Sequence, residues 1–286
     1  MAIIRRMKRA ELDQLVSWAA IEGWNPGLHD AELFWNADPN GFLALELHGQ
    51  LAGGGAIVRH NASYGFMGLF SVRPEFRGRG LGTELWYARR DQLRARLGSG
   101  GVIGLDAVDA MIPFYARGGF SVWTRHRRYR WDQPNLNDQS ATEGLVTDLR
   151  TVDLSELLEL DRVCFPGERA EFLQSWRNQP DSVAFGVVTE KGLRGMGVMR
   201  KCLEGWKIGP LFSRSPEVAQ QLLTAFAARS GGAPILVDVP DNNPVAGELC
   251  RQFGMQEVFG CVRMYLGEPP RLQDSLIFGI TTLETG

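Results

Sequence analysis

The chain is predicted to run twice through one order of secondary-structure elements, and this repetition limits its fold more than any other feature. Apolar spacing, alternation and turn residues predict the order α-α-β-β-β-α-β-α-β up to residue 131. The same order is predicted again over residues 145–286, from element order and not from sequence identity. Between them, residues 132–144 (DQPNLNDQSATEG) hold one large apolar residue and many turn formers. We therefore predict two domains, 1–131 and 145–286, joined by a linker at 132–144.

Length and composition agree with a two-domain globular protein. The 286 residues are 44% hydrophobic and 22% charged, which is typical of a globular fold and disfavours disordered or fibrous classes. A net charge of −2 gives no broad positive field for non-specific nucleic-acid binding. The chain shows neither a run of 18 apolar residues nor an apolar segment after its basic start. We expect a cytoplasmic location and no nucleic-acid or membrane partner.

Cysteines and histidines give no sign of a metal site. The four cysteines include no C-x-x-C pair and no zinc-type spacing with histidine, and the four histidines are dispersed. We expect buried, reduced thiols and no metal.

A glycine-rich turn joins a predicted strand to a long predicted helix at residues 70–83 (FSVRPEFRGRGLGT). Free N–H groups at a helix start attract anions, and Gly78, Gly80 and Gly82 let an anion approach the backbone closely. The turn lacks the Lys-Ser/Thr of a Walker loop, and Thr83 breaks the G-x-G-x-x-G spacing. By itself, this pattern is compatible with a phosphate cradle or with a purely structural turn.

Two motifs resemble those of the GNAT superfamily of N-acetyltransferases. The pattern Arg77-x-x-Gly80-x-Gly82 is similar to the family's acyl-CoA pyrophosphate loop, and residues 114–120 (FYARGGF) are similar to its Y-x-x-x-G-F ending. Residues 22–27 (EGWNPG) further resemble a bacterial subgroup in which a divergent second domain follows the catalytic one. The resemblance implies an α/β fold of the α+β type: tandem GNAT folds, each a mixed, mostly antiparallel twisted sheet flanked by helices.

The resemblance also implies acetyl-CoA as co-substrate, with no metal. The backbone of the central strand would pair with the pantetheine arm, and the loop N–H groups would bind the pyrophosphate. Arg89 or Arg117 could reach a phosphate, although the arginines of the long helix are predicted to lie on its exposed side. The implied cofactor-binding residues are Phe70, Ser71, Val72, Arg77, Gly78, Arg79, Gly80, Leu81, Gly82, Thr83, Phe114 and Arg117.

Tyr115 lies where the family places a general acid, a phenol that can protonate the departing thiolate. Its alternative role is packing before Gly119 and Phe120. An ammonium acceptor must also lose a proton before attack, and a carboxylate acting directly or through water can remove it. Glu22 is the first candidate, followed by Asp30 and Asp106. Each of these carboxylates could instead be a cap, a turn residue or a solvated charge. Trp24 and Asn25 are expected to line the acceptor pocket with Asp30 and Asp106.

The second domain is expected to have lost CoA binding. Residues 212–217 (FSRSPE) enter the helix without a glycine, and Cys250 stands where Tyr115 would be. This domain would complete the acceptor pocket or support assembly. Asp238 and Asp241 could bind a cationic amine, and residues 275–282 are predicted to form one more strand.

The sequence predicts an acetyl-CoA-dependent N-acetyltransferase acting by direct attack of a primary amine, favouring a small-molecule acceptor. A peptide or protein amine is the alternative acceptor, and a catalytically silent acyl-CoA sensor is the alternative class. We expect a monomer or homodimer. The basic stretch 125–131 (RHRRYRW) is interpreted as a solvated strand edge and not as a nucleic-acid site.

Overall fold

The computed structural model describes residues 2–134 and 146–286 and divides into two compact units. The first unit comprises Met1–Trp123, Arg263–Pro270 and Leu283–Gly286, and the second comprises Thr124–Val262 and Arg271–Thr282. From residue 135 onward, the predicted linker lies outside the described residues.

The first unit begins with a strand and two helices. Helix α1 buries Leu12, Leu15 and Ala19 along one face, as its apolar spacing predicts. Its first turn is capped by the Glu11 carboxylate, which accepts from the Lys8 N–H at 2.7 Å. The elements are β1 (Ala2–Arg6), α1 (Arg9–Ile21), α2 (Asp30–Ala37), β2 (Phe42–Leu47), β3 (Gln50–Ala56), β4 (Val58–Arg59), β5 (Tyr64–Met67), β6 (Ser71–Val72), α3 (Leu81–Arg96), β7 (Val102–Ala107) and α4 (Ile112–Arg117).

The strands of the first unit form two groups. Strands β1, β2, β3 and β6 pair antiparallel in that order. Strand β4 pairs antiparallel with β5, and β5 pairs parallel with β7. Strand β1 was not predicted, because its alternation is short and ends in two arginines. The predicted strand at 64–72 is interrupted at residues 68–70, and this interruption shapes the site described below.

The second unit repeats the element order of the first. Its sheet has the order β8-β13-β12-β11-β10-β9, with β15 beside β12. Strands β12 and β13 are parallel, and the other pairs in this series are antiparallel. The elements are β8 (Ser121–Trp131), β9 (Thr147–Asp148), α5 (Leu154–Cys164), α6 (Ala170–Asn178), β10 (Ser182–Thr189), β11 (Gly192–Lys201), β12 (Trp206–Ser213), α7 (Pro216–Arg229), β13 (Ile235–Pro240), α8 (Pro244–Gln252), β14 (Gln256–Leu266) and β15 (Ile277–Gly279).

The division between units differs from the predicted boundary at residue 131. Strand β8 was predicted to close the first domain, yet from Thr124 it belongs to the second unit and pairs with β13. That register sets Arg128 beside Asp238, and the two side chains form a buried bidentate ion pair at 2.7 and 2.8 Å. A pairing so distant in sequence leaves no local signal.

The same ion pair corrects the expectation that Asp238 and Asp241 bind a cationic amine. Asp238 is 3% exposed and neutralises Arg128. Asp241 likewise accepts from Arg127 at 2.6 and 2.8 Å. Both carboxylates form ion pairs with arginines of this chain.

Two further expectations can be compared with the fold. All four cysteines are buried and reduced, as predicted. Within the described residues, no helix combines the length and the apolar character needed to cross a membrane.

Candidate active site

The glycine-rich loop forms an open helix start in the first unit. Gly78 and Gly80 have φ angles of +76° and +78°, a left-handed conformation that favours glycine. Gly80 is the N-cap of α3, and no side chain within the described residues caps this helix by a hydrogen bond. The first N–H groups of a helix have no intrahelical acceptor, so this start can bind an anion. The predicted residues Gly78 to Thr83 therefore surround a helix terminus suited to a phosphate.

Arg77 fixes the entrance to this loop. Its Nε donates to the Val72 carbonyl at 2.7 Å, tying the loop back to β6. The guanidinium also pairs with the Glu22 carboxylate at 2.6 Å, and both side chains are well exposed. Arg79, by contrast, lies over the Phe76 ring, with 5.9 Å from guanidinium carbon to ring centroid.

The central strand breaks between β5 and β6. Its pairing with β7 runs from Tyr64 to Met67, and the chain then turns to pair with β3 through Ser71 and Val72. In the break, Leu69 has a φ of +47°, which is strained for a leucine. The predicted cofactor-pairing residues Phe70, Ser71 and Val72 thus lie where the strand has left its parallel neighbour.

Gly68 lies at the start of this break and meets residues of the same unit from Leu283–Gly286. The backbone oxygen of Glu284 lies so close to Gly68 that an added Cβ would collide with it. His60 Nε2 and the Thr285 carbonyl oxygen are 2.7 Å apart. The segment is therefore seated against the strand break, and Gly68 is required for that approach.

Tyr115 lies in the short helix α4 and packs within an aromatic cluster. Its ring stacks on Trp86 of α3 at 5.7 Å between centroids, and Phe114 and Phe120 also contact Trp86 edge-on. Gly118 allows this packing, because any Cβ there would enter the Trp86 ring. Burial raises the pKa of the Tyr115 phenol, and the positive charge of Arg89 opposes that rise. Tyr115 is therefore protonated at neutral pH.

Arg117 and Phe114 flank Tyr115 on the same helix. Arg117 is exposed, with its guanidinium carbon 5.8 Å from the Phe114 centroid. Cofactor binding by Arg117 and Phe114 stays a prediction.

The candidate carboxylates are in three different environments. Asp30 is fully buried, and its carboxylate accepts from the Gly27 N–H at 2.7 Å. This contact fixes the turn before α2, and acceptor binding by Asp30 stays a prediction. Asp106 accepts from Arg263 at 2.8 Å through both oxygens, and its charge is already matched. Glu22 is exposed beside Arg77, and its role as a base stays a prediction.

Trp24 and Asn25 lie in the loop between α1 and α2. Both are half-buried, the Trp24 N–H donates to the Ala19 carbonyl at 3.0 Å, and Asn25 has a φ of +51°. These features define the loop conformation, and acceptor binding by the two side chains stays a prediction.

Arg89 is a residue whose position the sequence analysis misjudged. It was predicted on the exposed face of α3, yet it is 1% exposed. The signal was available in the helical period, because Arg89 follows Leu85 by four residues and precedes Leu93 by four. The prediction placed Arg89 on the exposed face because its side chain is charged.

The comparisons with known proteins agree with both units. Residues 9–120 match the model of the "Acetyltransferase (GNAT) family", and residues 157–279 match that of an "Acetyltransferase (GNAT) domain". A holothin acyltransferase from Pseudoalteromonas sp. (strain SANK 73390) is 27% identical over 270 residues, which are 94% of this chain and 89% of that protein.

Two solved structures share the fold along nearly the whole chain. A candidate acetyltransferase from Pyrococcus horikoshii has a TM-score of 0.83 and 24% identity, covering 100% of this chain and 96% of that one. A tandem GNAT protein from the clavulanic acid biosynthesis pathway has a TM-score of 0.65 and 13% identity, covering 94% and 99%.

The chain belongs to the GNAT acetyltransferases and contains two GNAT domains. It is an acyltransferase of the GNAT type, a family that uses acetyl-CoA as co-substrate. The predicted α/β fold with mostly antiparallel sheets is confirmed.

Proposed function

We propose that this protein transfers an acetyl group from acetyl-CoA to a primary amine of a small molecule, and that the first unit holds the active site. The observation that carries the proposal is the uncapped start of α3 at Gly80, in the same unit as the protonated, buried Tyr115. The first feature suits a pyrophosphate, and the second suits a departing thiolate.

The residues of the first unit fit acetyl-CoA in kind. The start of α3 suits the anionic pyrophosphate. The strand that leaves β7 at Met67 has backbone groups that suit an extended arm containing amides. When bound, acetyl-CoA supplies the activated thioester carbonyl. The backbone at Gly78 to Gly82 binds and orients, and the backbone at Phe70 to Val72 pairs with the arm.

Tyr115 holds the proton that the reaction needs at sulfur. The amine nitrogen bonds to the carbonyl carbon and releases its proton to solvent or a base, while the carbon–sulfur bond breaks and leaves its electron pair on sulfur. Tyr115 donates its phenolic proton to that sulfur and regains one from solvent. Glu22 remains our candidate for the base, and its function there requires release from Arg77.

A small-molecule acceptor is supported by the holothin acyltransferase, which aligns with 94% of this chain. At 27% identity that relative supports the size class of the acceptor and not its structure. Holothin itself belongs among the amines to be tested.

The test is thiol release from acetyl-CoA over a panel of amines that includes holothin, lysine-containing peptides and aromatic and aliphatic primary amines. We expect release that depends on a small amine, with the acetamide identified by mass spectrometry and one CoA bound per chain by calorimetry. Binding of CoA without turnover of any amine would instead support the sensor function. Turnover restricted to peptides would overturn the small-molecule acceptor.

A further inference from the structure

Arg89 is a buried charge without a carboxylate partner. Its Nη2 donates to two backbone carbonyls, Ala56 at 2.7 Å and Gly68 at 2.6 Å. No acidic residue among those described pairs with it, and burial lowers the pKa of the guanidinium to about 10. Burying an ion without a counter-charge is energetically unfavourable. Such a residue needs a reason beyond packing.

The second unit shows that packing alone does not require the charge. In the first unit Gly55 of β3 faces Arg89, since a Cβ there would collide with the guanidinium. In the second unit Gly197 of β11 faces Phe226 of α7 in the same way, with a Cβ 2.8 Å from that ring.

The helix spacing confirms that the two positions correspond. In α3 the buried residues Leu85, Trp86 and Arg89 have the spacing i, i+1 and i+4. In α7 the buried residues Leu222, Leu223 and Phe226 have the same spacing. A phenylalanine therefore fills this place in a domain of the same fold.

What Arg89 holds is the break in the central strand. The guanidinium binds the Gly68 carbonyl on one side of Leu69, and its carbon lies 4.9 Å from the Phe70 ring centroid on the other. Leu69 itself has the strained φ of +47°. Strained backbone of this kind persists only where its surroundings fix it. Arg89 supplies that fixation from inside the unit, and its contact with Ala56 ties the break to the end of β3.

We propose that Arg89 is a positioning residue, which holds residues 68–70 in the shape that lets the following strand edge receive the pantetheine arm of CoA. The inference rests on the proposed function, because it assumes that this strand edge binds the pantetheine arm. The positive charge of Arg89 also lowers the pKa of the Tyr115 phenol and partly offsets the rise caused by burial.

The test separates the arm of CoA from its nucleotide. Calorimetry measures the affinity of the full chain for CoA and for adenosine 3′-phosphate 5′-diphosphate, which carries the pyrophosphate but no pantetheine. In Arg89→Met we expect the affinity for CoA to fall at least about tenfold and the affinity for the nucleotide to stay within about twofold. Arg89→Lys keeps a donor and a charge and should recover part of the loss.

Arg94→Met is the matched control, because Arg94 lies exposed on the same helix. It should change neither affinity. Thermal unfolding should show Arg89→Met folded, since the change removes a buried charge and leaves no opposite charge unpaired. Equal losses for both ligands, or an unchanged affinity for CoA, would overturn the positioning role.

Failure of the proposed function gives a different result. Suppose that Arg89→Met weakens CoA binding and spares nucleotide binding, but the wild-type protein acetylates no amine. That result would refute the proposed acetyl transfer to an amine and leave the positioning role of Arg89 intact.

Discussion

The helix after the central strand begins differently in the two units. In the first, α3 starts at a left-handed Gly80 with no side-chain cap among the described residues. In the second, the Ser215 hydroxyl accepts from the Val218 N–H at 3.4 Å, and Pro216 occupies the first helical position. The Ser215 hydroxyl thus satisfies one of the N–H groups that an anion would otherwise bind. The two helix starts therefore differ in their capping, and we expect only the first to bind a phosphate.

The strands before these helices also differ. In the second unit β15 pairs with β12 at Leu211 and Phe212, and the Ile280 N–H donates to the Asp238 carbonyl of β13 at 2.9 Å. A segment of the chain therefore occupies the edge where β12 and β13 separate. In the first unit a segment of the chain, Leu283–Gly286, likewise lies against the break at Gly68, whose carbonyl accepts from Arg89. The segments differ in form, because β15 pairs with β12 as a strand whereas Leu283–Gly286 forms a turn.

The largest effect should come from the loop glycine. Gly80→Val forces a β-branched residue into a left-handed conformation, which is strongly disfavoured, and should distort the start of α3. We expect CoA affinity to fall by more than about 100-fold, measured by calorimetry.

Gly254→Val is the matched control for this change. Gly254 lies in the second unit with a φ of +72°, and an added Cβ would meet nothing within 4 Å, as at Gly80. It should lower stability to a similar extent and leave CoA affinity unchanged. An equal loss of affinity in both variants would contradict the difference between the units.

The next effect concerns Tyr115 and its counterpart Cys250. Tyr115→Phe removes the proton donor and keeps the ring stacked on Trp86, so we expect kcat to fall about 100-fold with CoA affinity unchanged. Cys250→Ser should leave kcat unchanged, because that thiol is buried in the second unit and burial raises its pKa to about 12.

The pH profile of kcat tests the same assignment. Burial raises the pKa of Tyr115 above its usual 10, so the acid form persists through neutral pH and the alkaline fall of kcat from its ionisation lies above that expected for a free phenol. That fall should be absent in Tyr115→Phe. An alkaline fall of kcat with a midpoint below that of a free phenol, or an unchanged kcat in Tyr115→Phe, would exclude Tyr115 as the acid.

Local motifs predicted the family and the positions of Gly80 and Tyr115, because short loops and helix starts depend on nearby residues. Arg89 was placed on the wrong face, since its charge was given more weight than its helical period. The pairing of β8 with β13 was missed for another reason. It depends on the register that joins Arg128 to Asp238, 110 residues apart, and no local pattern encodes such a contact. The turn contact of Asp30 could not be predicted, because a carboxylate that fixes a turn and one that binds an amine look alike in sequence.

The smallest effect tests the cap of the second unit. Ser215→Ala removes the hydroxyl that accepts from Val218, and the unfolding free energy should fall by about 1 kcal/mol in denaturant titrations. Ser215→Thr, which keeps the hydroxyl, should recover most of it. Calorimetry should still give one CoA per chain, since β15 occupies the strand edge even when the helix start is uncapped. A second equivalent of CoA in Ser215→Ala would show that the cap alone closes this unit, and that the seated strand is not needed to exclude the ligand.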